Sequence, residues 1–336
     1  MTAPRQPLAL TMGEPSGIAG EIVLKAWRAG DGKLVPPFVY LGDPHWLRAE
    51  AHHLRSHTHV VEVSSCAEAL KRFSDGIPVL SVALAEKPVY GQPCQANAGS
   101  VVASISKAVE LVQSGQAAAV VTNPIQKALL YGAGFKFPGH TEFLAELSHS
   151  PNPIMMLATD DLRVVPVTVH VSLASAIQSL SSDAIQTCAR VVHEALIKMF
   201  GIAKPRLAIS GLNPHAGEGG AMGDEEIRII KPAVDALALQ GLNVMGPLPA
   251  DTLFHAESRQ RFDAIICMYH DQALIPLKTL DFHHGVNTTL GLPFVRTSPD
   301  HGTALDIAGR GIANPSSLLA ALRLADKMSR SREVMS

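Results

Sequence analysis

The chain has 336 residues, of which 47% are hydrophobic and 17% are charged. This length and apolar content suffice for a large core and favour two domains or lobes. The formal net charge of -2 and the absence of a long basic run argue against nucleic acid as the main partner.

Strand-like apolar runs alternate with helical patterns along most of the chain. In chain order, the strand-like runs are PLALTM, PFVYLG, AAAVVTNP, LRVVPVTVH, RLAISGLNP and FDAIICMYHD. The helical patterns between them are GEIVLKAWRAG, PHWLRAEAHHL, NAGSVVASISKAVELVQSGQ, SSDAIQTCARVVHEALIKMF and GDEEIRIIKPAVDALALQG. This alternation predicts an α/β fold with a largely parallel sheet and helices on both of its faces.

Polar loops rich in glycine and proline follow five of these strands. Their sequences are TMGEPSG, TNPIQK, TVHVS, GLNPHAGEGG and YHDQ. Because ligands of such sheets bind beyond the carboxyl ends of the strands, the loops predict one shared cleft.

Three of these loops carry a histidine, namely His170, His215 and His270. Taken singly, each is more often a structural residue than a ligand. Together on equivalent loops, two of them beside Glu218 and Asp271, they favour a site for Zn²⁺, Co²⁺ or a similar ion. Three protein ligands would leave a position open for a substrate oxygen, on which the ion could stabilise negative charge.

An anion site is predicted from a second group of residues. In FPGHTEFLAELSHS, residues 137–150, Thr141 can cap the start of a helix, and the N–H groups there, with His140, can also hold a phosphate. Further along, Lys278 and Arg296 each stand at the end of an apolar, strand-like run, and Asn287 lies between them in the sequence. A lone lysine usually lies on a solvated face. An unpaired charge beside apolar runs is unfavourable, however, so the alternative is that a small polyanionic substrate pairs with both cations.

The chain has no dinucleotide fingerprint of the Rossmann type. No G-x-G-x-x-G follows a strand, and GEGGAMG has the wrong spacing. PDHGTALDIAGRGIANP, residues 299–315, is instead a glycine-punctuated polar loop that contains His301, Asp306 and Asn314.

This loop resembles the adenosine-binding segment of the isocitrate and isopropylmalate dehydrogenases, which bind NAD(P) without a Rossmann domain. Other stretches resemble the 4-hydroxythreonine-4-phosphate dehydrogenases of vitamin B6 biosynthesis, in register from about residue 7 to about residue 325. These stretches are TMGEPSGIAGEI, GHTEFLAE, GLNPHAGEGGAMGDEE, GPLPADTLF, YHDQALIPLK and VNTTLGLPFVRTSPDHGTALDIAG.

The resemblance implies a two-lobed, isopropylmalate-dehydrogenase-like α/β/α architecture. Its active site would lie in the inter-lobe cleft at the interface of a homodimer. Residues 1–127 and 283–336 would form the cofactor-facing lobe, and residues 128–282 the lobe for metal, substrate and dimerisation.

The resemblance also assigns site residues to this chain. The metal ligands would be His170, His215 and His270, with each site shared by the two chains of the dimer. The substrate contacts would be His140, Thr141, Lys278, Asn287 and Arg296. The cofactor contacts would be His301, Gly302, Asp306 and Asn314. Because a carboxylate against the ribose hydroxyls repels a 2′-phosphate, Asp306 favours NAD over NADP.

The implied reaction is the NAD-dependent oxidation of 4-phosphooxy-L-threonine with the help of Zn²⁺, Co²⁺ or Mg²⁺. The resulting β-keto acid would lose CO₂ and leave 3-amino-2-oxopropyl phosphate. Asp251, Asp271 and Lys278 are the candidate catalytic residues. Either Asp251 or Asp271 would relay the proton or orient a ligand histidine.

Several positions depart from the family pattern and leave its branch open. They are Glu14, Ser16, Ala19, Gly20, Ala273 and Leu305. The alternatives are a paralogue that oxidises D-threonate or erythronate 4-phosphate, and one that oxidises an aromatic cis-dihydrodiol acid. A third alternative is a metal-dependent lyase or a metal-binding protein without redox chemistry, and the loop at 299–315 argues against it.

The cysteines and the apolar runs predict a cytoplasmic protein with no membrane partner. The four cysteines are scattered without a C-x-x-C pair, as is typical of reduced thiols. PLALTMG near the start is too short for a secretory signal core. No apolar run approaches the roughly 20 residues that a membrane span needs.

Overall fold

A computed structural model describes residues 6–29, 35–132, 136–137 and 139–335. The chain divides into two compact units. Unit 1 consists of Met1–Ser150 and Leu292–Ser329, and unit 2 of Pro151–Gly291 and Arg330–Ser336. The sequence predicts lobe boundaries after residues 127 and 282, which differ from the boundaries of these two units. The role given to each lobe stays a prediction.

The described strands of unit 1 form a parallel sheet with the order β3-β4-β2-β1-β5-β12. These strands are β1 Leu8–Thr11, β2 Phe38–Gly42, β3 Val60–Glu62, β4 Ile77–Ser81, β5 Val120–Val121 and β12 Arg296–Pro299. The two central strands β1 and β2 are buried along their whole length, as expected for a parallel sheet covered on both faces.

The helices of unit 1 follow its strands in the order that the sequence predicts. They are α1 Ala19–Arg28, α2 Pro44–His53, α3 Cys66–Arg72, α4 Ala98–Gln113, α5 Lys127–Gly132 and α6 His140–Leu147. The last helix of the chain, α12 Ser316–Met335, begins in unit 1.

Unit 2 has a mixed sheet with the order β11-β6-β7-β10-β8-β9. The pairs β11–β6 and β6–β7 are antiparallel, whereas β7–β10, β10–β8 and β8–β9 are parallel. Its strands are β6 Ile154–Ala158, β7 Arg163–Thr168, β8 Arg206–Ser210, β9 Asn243–Leu248, β10 Ala264–Tyr269 and β11 Val286–Leu290. Its helices are α7 Leu173–Ser179, α8 Ser182–Lys198, α9 Lys231–Leu239, α10 Ala256–Arg259 and α11 His270–Leu280.

The predicted α/β alternation is confirmed, and three local interpretations are corrected. The apolar run before Lys278 is part of helix α11, not strand-like, and Arg296 begins strand β12 instead of ending one. Helix α6 begins at His140 after Gly139, so Thr141 is not its N-cap.

None of the helices in the described part of the chain combines the length and apolar character needed to cross a bilayer.

An ion pair with a buried carboxylate in unit 1 holds the end of the loop that follows β12. Glu21 of helix α1 is 0% exposed, and its carboxylate accepts hydrogen bonds from Lys25 Nζ at 2.7 Å and from the Ala313 N–H at 2.7 Å. The Gly311 N–H donates to its second oxygen at 3.2 Å. Lys25 Nζ in turn donates to the carbonyl oxygens of Gly311 and Ala313. The pair therefore joins helix α1 to residues 311–313.

Replacing Glu21 with alanine should lower the free energy of unfolding by about 3 kcal/mol, because buried N–H groups and an ammonium group lose their acceptor. Urea denaturation monitored by circular dichroism measures the change. The matched control is Glu194→Ala, which removes an exposed i, i+4 partner of Lys198 on helix α8 and should change the stability by less than about 0.5 kcal/mol. Equal effects of the two substitutions would contradict the role given to Glu21.

Candidate functional site

The three predicted histidine ligands follow three neighbouring parallel strands of unit 2. Strand β10 pairs with β7 on one side and with β8 on the other. Tyr269, the last residue of β10, lies opposite Thr168, the last residue of β7. His270 is therefore one residue, and His170 two residues, beyond the paired ends of their strands. His215 lies on the loop after β8, and all three loops share the carboxyl edge of the sheet.

His170 and His270 form a close pair. Their ring centroids are 5.7 Å apart, with an angle of 44° between the ring planes. His270 Nδ1 lies 2.7 Å from Asp271 Oδ1. With Nδ1 donating to this carboxylate, Nε2 is the nitrogen with a lone pair, as in histidines that bind metals.

The loop that carries His215 has an unusual backbone. Residues 215–219 all adopt left-handed conformations, with φ angles between 42° and 78°. Glycines at 217 and 219 accept such angles readily, whereas His215, Ala216 and Glu218 each adopt them at a cost of about 1–2 kcal/mol. His170 also has a positive φ of 52°. Strain of this kind concentrates at functional sites.

Two cavities of unit 2 share His270 and Asp271. The smaller one, of about 200 Å³, is lined by Thr168, His170, Val171, Leu173, Ala176, Tyr269, His270 and Asp271. The larger one, of about 390 Å³, is lined by His270, Asp271, Leu274, Ile275, Lys278 and Thr279. Because His270 and Lys278 are eight residues apart on helix α11, they lie on one helix face, and the structure brings both to the same cavity.

The structure does not bring all three histidines of one chain into a single cluster. Among the residues that it describes, no three side chains of His, Cys, Asp or Glu are grouped so that they could hold a metal ion. His170 and His270 are close together, whereas His215 occupies the neighbouring loop.

Two polar residues that the sequence did not single out support these loops. Gln272 is buried, and its side-chain oxygen accepts hydrogen bonds from the Met268 N–H at 2.7 Å and from Ser210 Oγ at 2.9 Å. Its amide nitrogen donates to the Gly211 carbonyl at 2.8 Å. Gln272 therefore ties the end of β10 to the end of β8. Its only sequence signal is its place two residues after His270.

The second is Glu226, whose carboxylate accepts hydrogen bonds from the loop that contains His215. Burial acts to raise the pKa of Glu226, but hydrogen bonds from Asn213 and Leu212 outweigh it, and the pKa is lowered. The group is thus held as a carboxylate. Its sequence signal, one acidic residue in GDEE, does not distinguish it from its neighbours.

A cationic group is present in unit 1, where the anion site was predicted. Arg296 is 3% exposed and donates from Nη2 to Thr122 Oγ1 at 2.6 Å. Burial lowers the pKa of Arg296 to about 10, partly offset by Glu142, so the guanidinium keeps its charge at neutral pH. Lys127 Nζ lies beside Gly139, where a β-carbon would approach it to 3.3 Å. Lys127, in TNPIQK, was missed as a cation of this site.

His140 lies among these cations at the start of helix α6. Although the residue as a whole is partly exposed, its Nε2 is shielded from solvent and has no hydrogen-bond partner. Burial first, then the charges of Arg296 and Lys127, hold the pKa of His140 well below its usual value. The ring is therefore neutral at pH 7. An orphaned ring nitrogen beside two cations suits an anionic ligand.

The predicted cofactor residues lie on the loop after β12 in unit 1. His301 Nε2 is buried and has no hydrogen-bond partner, while Nδ1 contacts the Gly302 carbonyl at 3.0 Å. Asp306 is exposed in the short 3-10 helix Leu305–Ile307, and Asn314 is exposed before helix α12. The loop packs against the first polar loop of the chain, because the Ile18 N–H donates to the Thr303 carbonyl.

The remaining predicted residues lie in unit 2. Asp251 is exposed in the short 3-10 helix Ala250–Thr252. Asn287 is on strand β11 opposite Leu157 of β6.

A cavity of about 500 Å³ in unit 1 contains none of the predicted site residues. It lies beside the loop at residues 299–315, because His53 on its wall contacts the Gly309 carbonyl at 2.8 Å. Its lining residues are Asp43, His45, Trp46, Ala49, Glu50, His53, Leu84, Ala85, Glu86, Lys87, Pro88 and Tyr90.

Comparisons with known proteins agree along the whole chain. The family model described as pyridoxal phosphate biosynthetic protein PdxA matches residues 33–325. A 4-hydroxythreonine-4-phosphate dehydrogenase of Methylorubrum populi is 52% identical over 335 residues, which cover 98% of this chain and 96% of that protein.

Solved structures give the same result. The crystal structure of a 4-hydroxythreonine-4-phosphate dehydrogenase from Klebsiella pneumoniae has 37% identity and a TM-score of 0.87, covering 96% of this chain and 99% of that chain. A terephthalate 1,2-cis-dihydrodiol dehydrogenase from Burkholderia xenovorans has 30% identity and a TM-score of 0.66, covering 96% and 98%.

The buried, neutral state of His140 predicts a pH dependence of stability. Since its pKa is lower in the folded than in the unfolded chain, its contribution is present above the unfolded pKa, about 6.5, and is lost as the pH falls below it. Between pH 7 and pH 5, the wild type should lose more unfolding free energy than His140→Gln, by no more than about 1.4 kcal/mol per pH unit. Urea denaturation at each pH measures this, with the exposed His57→Gln as control. The same pH dependence in wild type and His140→Gln would contradict the assignment.

Proposed function

Because the chain belongs to the PdxA family of pyridoxal phosphate biosynthetic proteins, we propose that it oxidises 4-phosphooxy-L-threonine with NAD. The β-keto acid formed loses CO₂ and gives 3-amino-2-oxopropyl phosphate. Membership makes the chain a dehydrogenase of vitamin B6 biosynthesis.

The observation that carries the proposal is the placement of three histidines after three neighbouring parallel strands. His170, His215 and His270 supply imidazole nitrogens, the ligands that Zn²⁺ and Co²⁺ favour, and Mg²⁺ is the third candidate ion. The contact of His270 Nδ1 with Asp271 supports a metal at Nε2, since it fixes the ring tautomer. A divalent ion bound there would stabilise negative charge on a substrate oxygen, and NAD would accept the hydride.

The other predicted residues bind and orient the substrate. His140, Thr141 and Arg296 receive the negative charge of the phosphorylated substrate, supported by the cationic surroundings of His140. Lys278 and Asn287 are also assigned to substrate binding. Asp271 orients His270, and the proton passes through Asp251, Asp271 or Lys278.

NAD binding is assigned to His301, Gly302, Asp306 and Asn314. The orphaned Nε2 of His301 fits a polar ligand at this loop. The exposed carboxylate of Asp306 favours a ribose with free hydroxyls, and therefore NAD over NADP.

We further propose that the protein is a homodimer in which both chains contribute to each site. Large apolar side chains are exposed in the two segments next to His170 and His270, at residues 171–177 and 275–282, with Phe282 72% exposed just after α11. The others are Val171, Leu173, Ile177, Ile275 and Leu280. Exposed apolar patches of this kind favour burial against a protein partner.

A cytoplasmic location is part of the same proposal. All four cysteines, Cys66, Cys94, Cys188 and Cys267, are free thiols, as is typical of proteins in a reducing compartment.

A second candidate function is favoured by the resemblance to the dihydrodiol dehydrogenase of Burkholderia xenovorans. The chain would then oxidise an aromatic cis-dihydrodiol acid, or D-threonate or erythronate 4-phosphate, with the same metal and NAD. The cations around His140 favour a phosphorylated substrate over a dihydrodiol.

The substrate is tested by offering the purified protein a panel of hydroxy acids with NAD or NADP and a divalent metal. We expect NADH absorbance to appear with 4-phosphooxy-L-threonine, and turnover with NADP to be at least about tenfold less efficient, the effect of about 1.4 kcal/mol of repulsion at Asp306. The control substrate is the unphosphorylated hydroxythreonine. Faster turnover of a dihydrodiol acid or of D-threonate 4-phosphate would move the chain to the alternative branch.

The metal role is tested by chelation and by His215→Ala. Removing one of three ligands should lower kcat/KM by at least about 100-fold, because the loss of a residue that only hydrogen-bonds to a ligand already lowers it by about 10–100-fold. Steady-state kinetics after dialysis against a chelator, with and without added metal, measures the effect. The control is His57→Ala, an exposed histidine of unit 1, which should keep full activity. Undiminished turnover in a metal-free sample would refute the metal role.

A further inference from the structure

We propose that Glu226 is a positioning residue that holds the loop at residues 211–220, here called the His215 loop, in the conformation needed for metal binding. The inference deepens the proposed function and rests on it. Glu226 touches no substrate in this scheme; it acts through the backbone of the loop that carries His215.

The contacts of Glu226 are directed at the first half of this loop. The side chain is 3% exposed, and Oε1 accepts hydrogen bonds from the N–H groups of Leu212 and Asn213, both at 2.7 Å. Oε2 accepts a third from Asn213 Nδ2 at 2.9 Å, and the same amide group also donates to Glu225 Oε2 at 2.7 Å. A buried carboxylate with three donors forms charge-assisted hydrogen bonds, which are stronger than neutral ones. One side chain therefore fixes the two residues that lead into Pro214 and His215.

The second half of the loop packs directly on the same carboxylate. A β-carbon at Gly217 would lie 2.7 Å from Glu226 Oε2. At the start of the loop, a β-carbon at Gly211 would lie 3.1 Å from Oε1. Gly217 is in the middle of the left-handed run at 215–219, with φ of 78°. Glu226 thus supports the loop on both sides of His215.

The loop needs such support because its own backbone opposes the conformation. Three non-glycine residues in the left-handed region cost about 1–2 kcal/mol each, which only contacts from outside the run can offset. Glu226 makes these contacts from the first turn of a π-helix, Glu226–Ile230, that leads into α9. Such turns are rare and occur frequently at functional sites.

The proposal predicts different effects for two conservative substitutions. In Glu226→Gln, the amide nitrogen cannot accept the hydrogen bond from Asn213 Nδ2, and the charge assistance is lost. In Glu226→Asp, the charge remains but the carboxylate is one methylene too short to reach both halves of the loop. We therefore expect weaker metal binding in both, with Glu226→Asp closer to wild type.

The experiment titrates Co²⁺ into the metal-free full-length protein and follows visible absorption. Affinity is obtained by competition with a chelator. Glu226→Gln should bind Co²⁺ about 10–100-fold more weakly than wild type, which is the range for residues that support metal ligands without binding the metal. Its absorption spectrum with Co²⁺ should also differ from that of the wild type. Hydrogen exchange of the Leu212 and Asn213 amides, measured without metal, should be faster in the variant.

The matched control is Asp224→Asn, which removes the same charge two residues away. Asp224 pairs with Arg228 on the exposed side of this segment, at 2.6 Å, and has no contact with the His215 loop among those described. This variant should keep the wild-type Co²⁺ affinity, spectrum and exchange rates. Thermal unfolding of all variants separates loss of loop geometry from loss of the fold.

Wild-type Co²⁺ affinity and spectrum in folded Glu226→Gln would overturn the inference while leaving the proposed function intact. If Glu226→Gln does not fold, wild-type Co²⁺ affinity and spectrum in folded Glu226→Asp would overturn the inference. Unprotected Leu212 and Asn213 amides in the wild type would overturn it without any variant. A wild type that binds no Co²⁺ and forms no NADH would instead refute the proposed function, and this inference with it.

Discussion

The close approach of His170 and His270 depends on the parallel pairing of β10 with β7, whereas His215 follows β8, and the described residues of one chain do not gather all three histidines into one cluster. Parallel strands end at the same edge of a sheet and lie about 4.8 Å apart, so the loops after them are neighbours whatever their separation in sequence. The register Tyr269–Thr168 fixes the offset between His270 and His170. A shift by one residue would turn each side chain to the opposite face of the sheet and would change the offset between His270 and His170.

The sheet brings the loops close together, and buried polar side chains then hold these loops in one conformation. Gln272 joins the ends of β8 and β10, and Glu226 holds the loop that contains His215. In unit 1, Glu21 and Lys25 similarly hold the end of the loop at residues 299–315. In each case, one buried side chain satisfies several backbone groups of an irregular loop, because such groups are unfavourable when unpaired. The candidate sites in both units thus rely on side chains that touch no ligand in the proposed scheme.

The sequence predicts the features that arise from local periodicity and misses those that depend on distant partners. The alternation of strands and helices and the five polar strand ends are visible in it, since both follow from short-range patterns. The helical nature of residues 270–280 was missed, because Pro276 in an apolar run argues against a helix interior. Lys127, Glu226 and Gln272 could not be singled out, because their importance comes from residues far away in the sequence. The site assignments came from the family resemblance, and they stay predictions.

The central claim is that three imidazoles hold a divalent cation, and X-ray absorption spectroscopy of the Zn²⁺-loaded protein tests it most directly. The claim predicts a Zn²⁺ shell with three nitrogen ligands at about 2.0–2.1 Å and the multiple-scattering pattern of imidazole. In His215→Ala, one of these imidazoles should disappear from the shell. A shell of oxygen ligands alone, or one unchanged in the variant, would contradict the account.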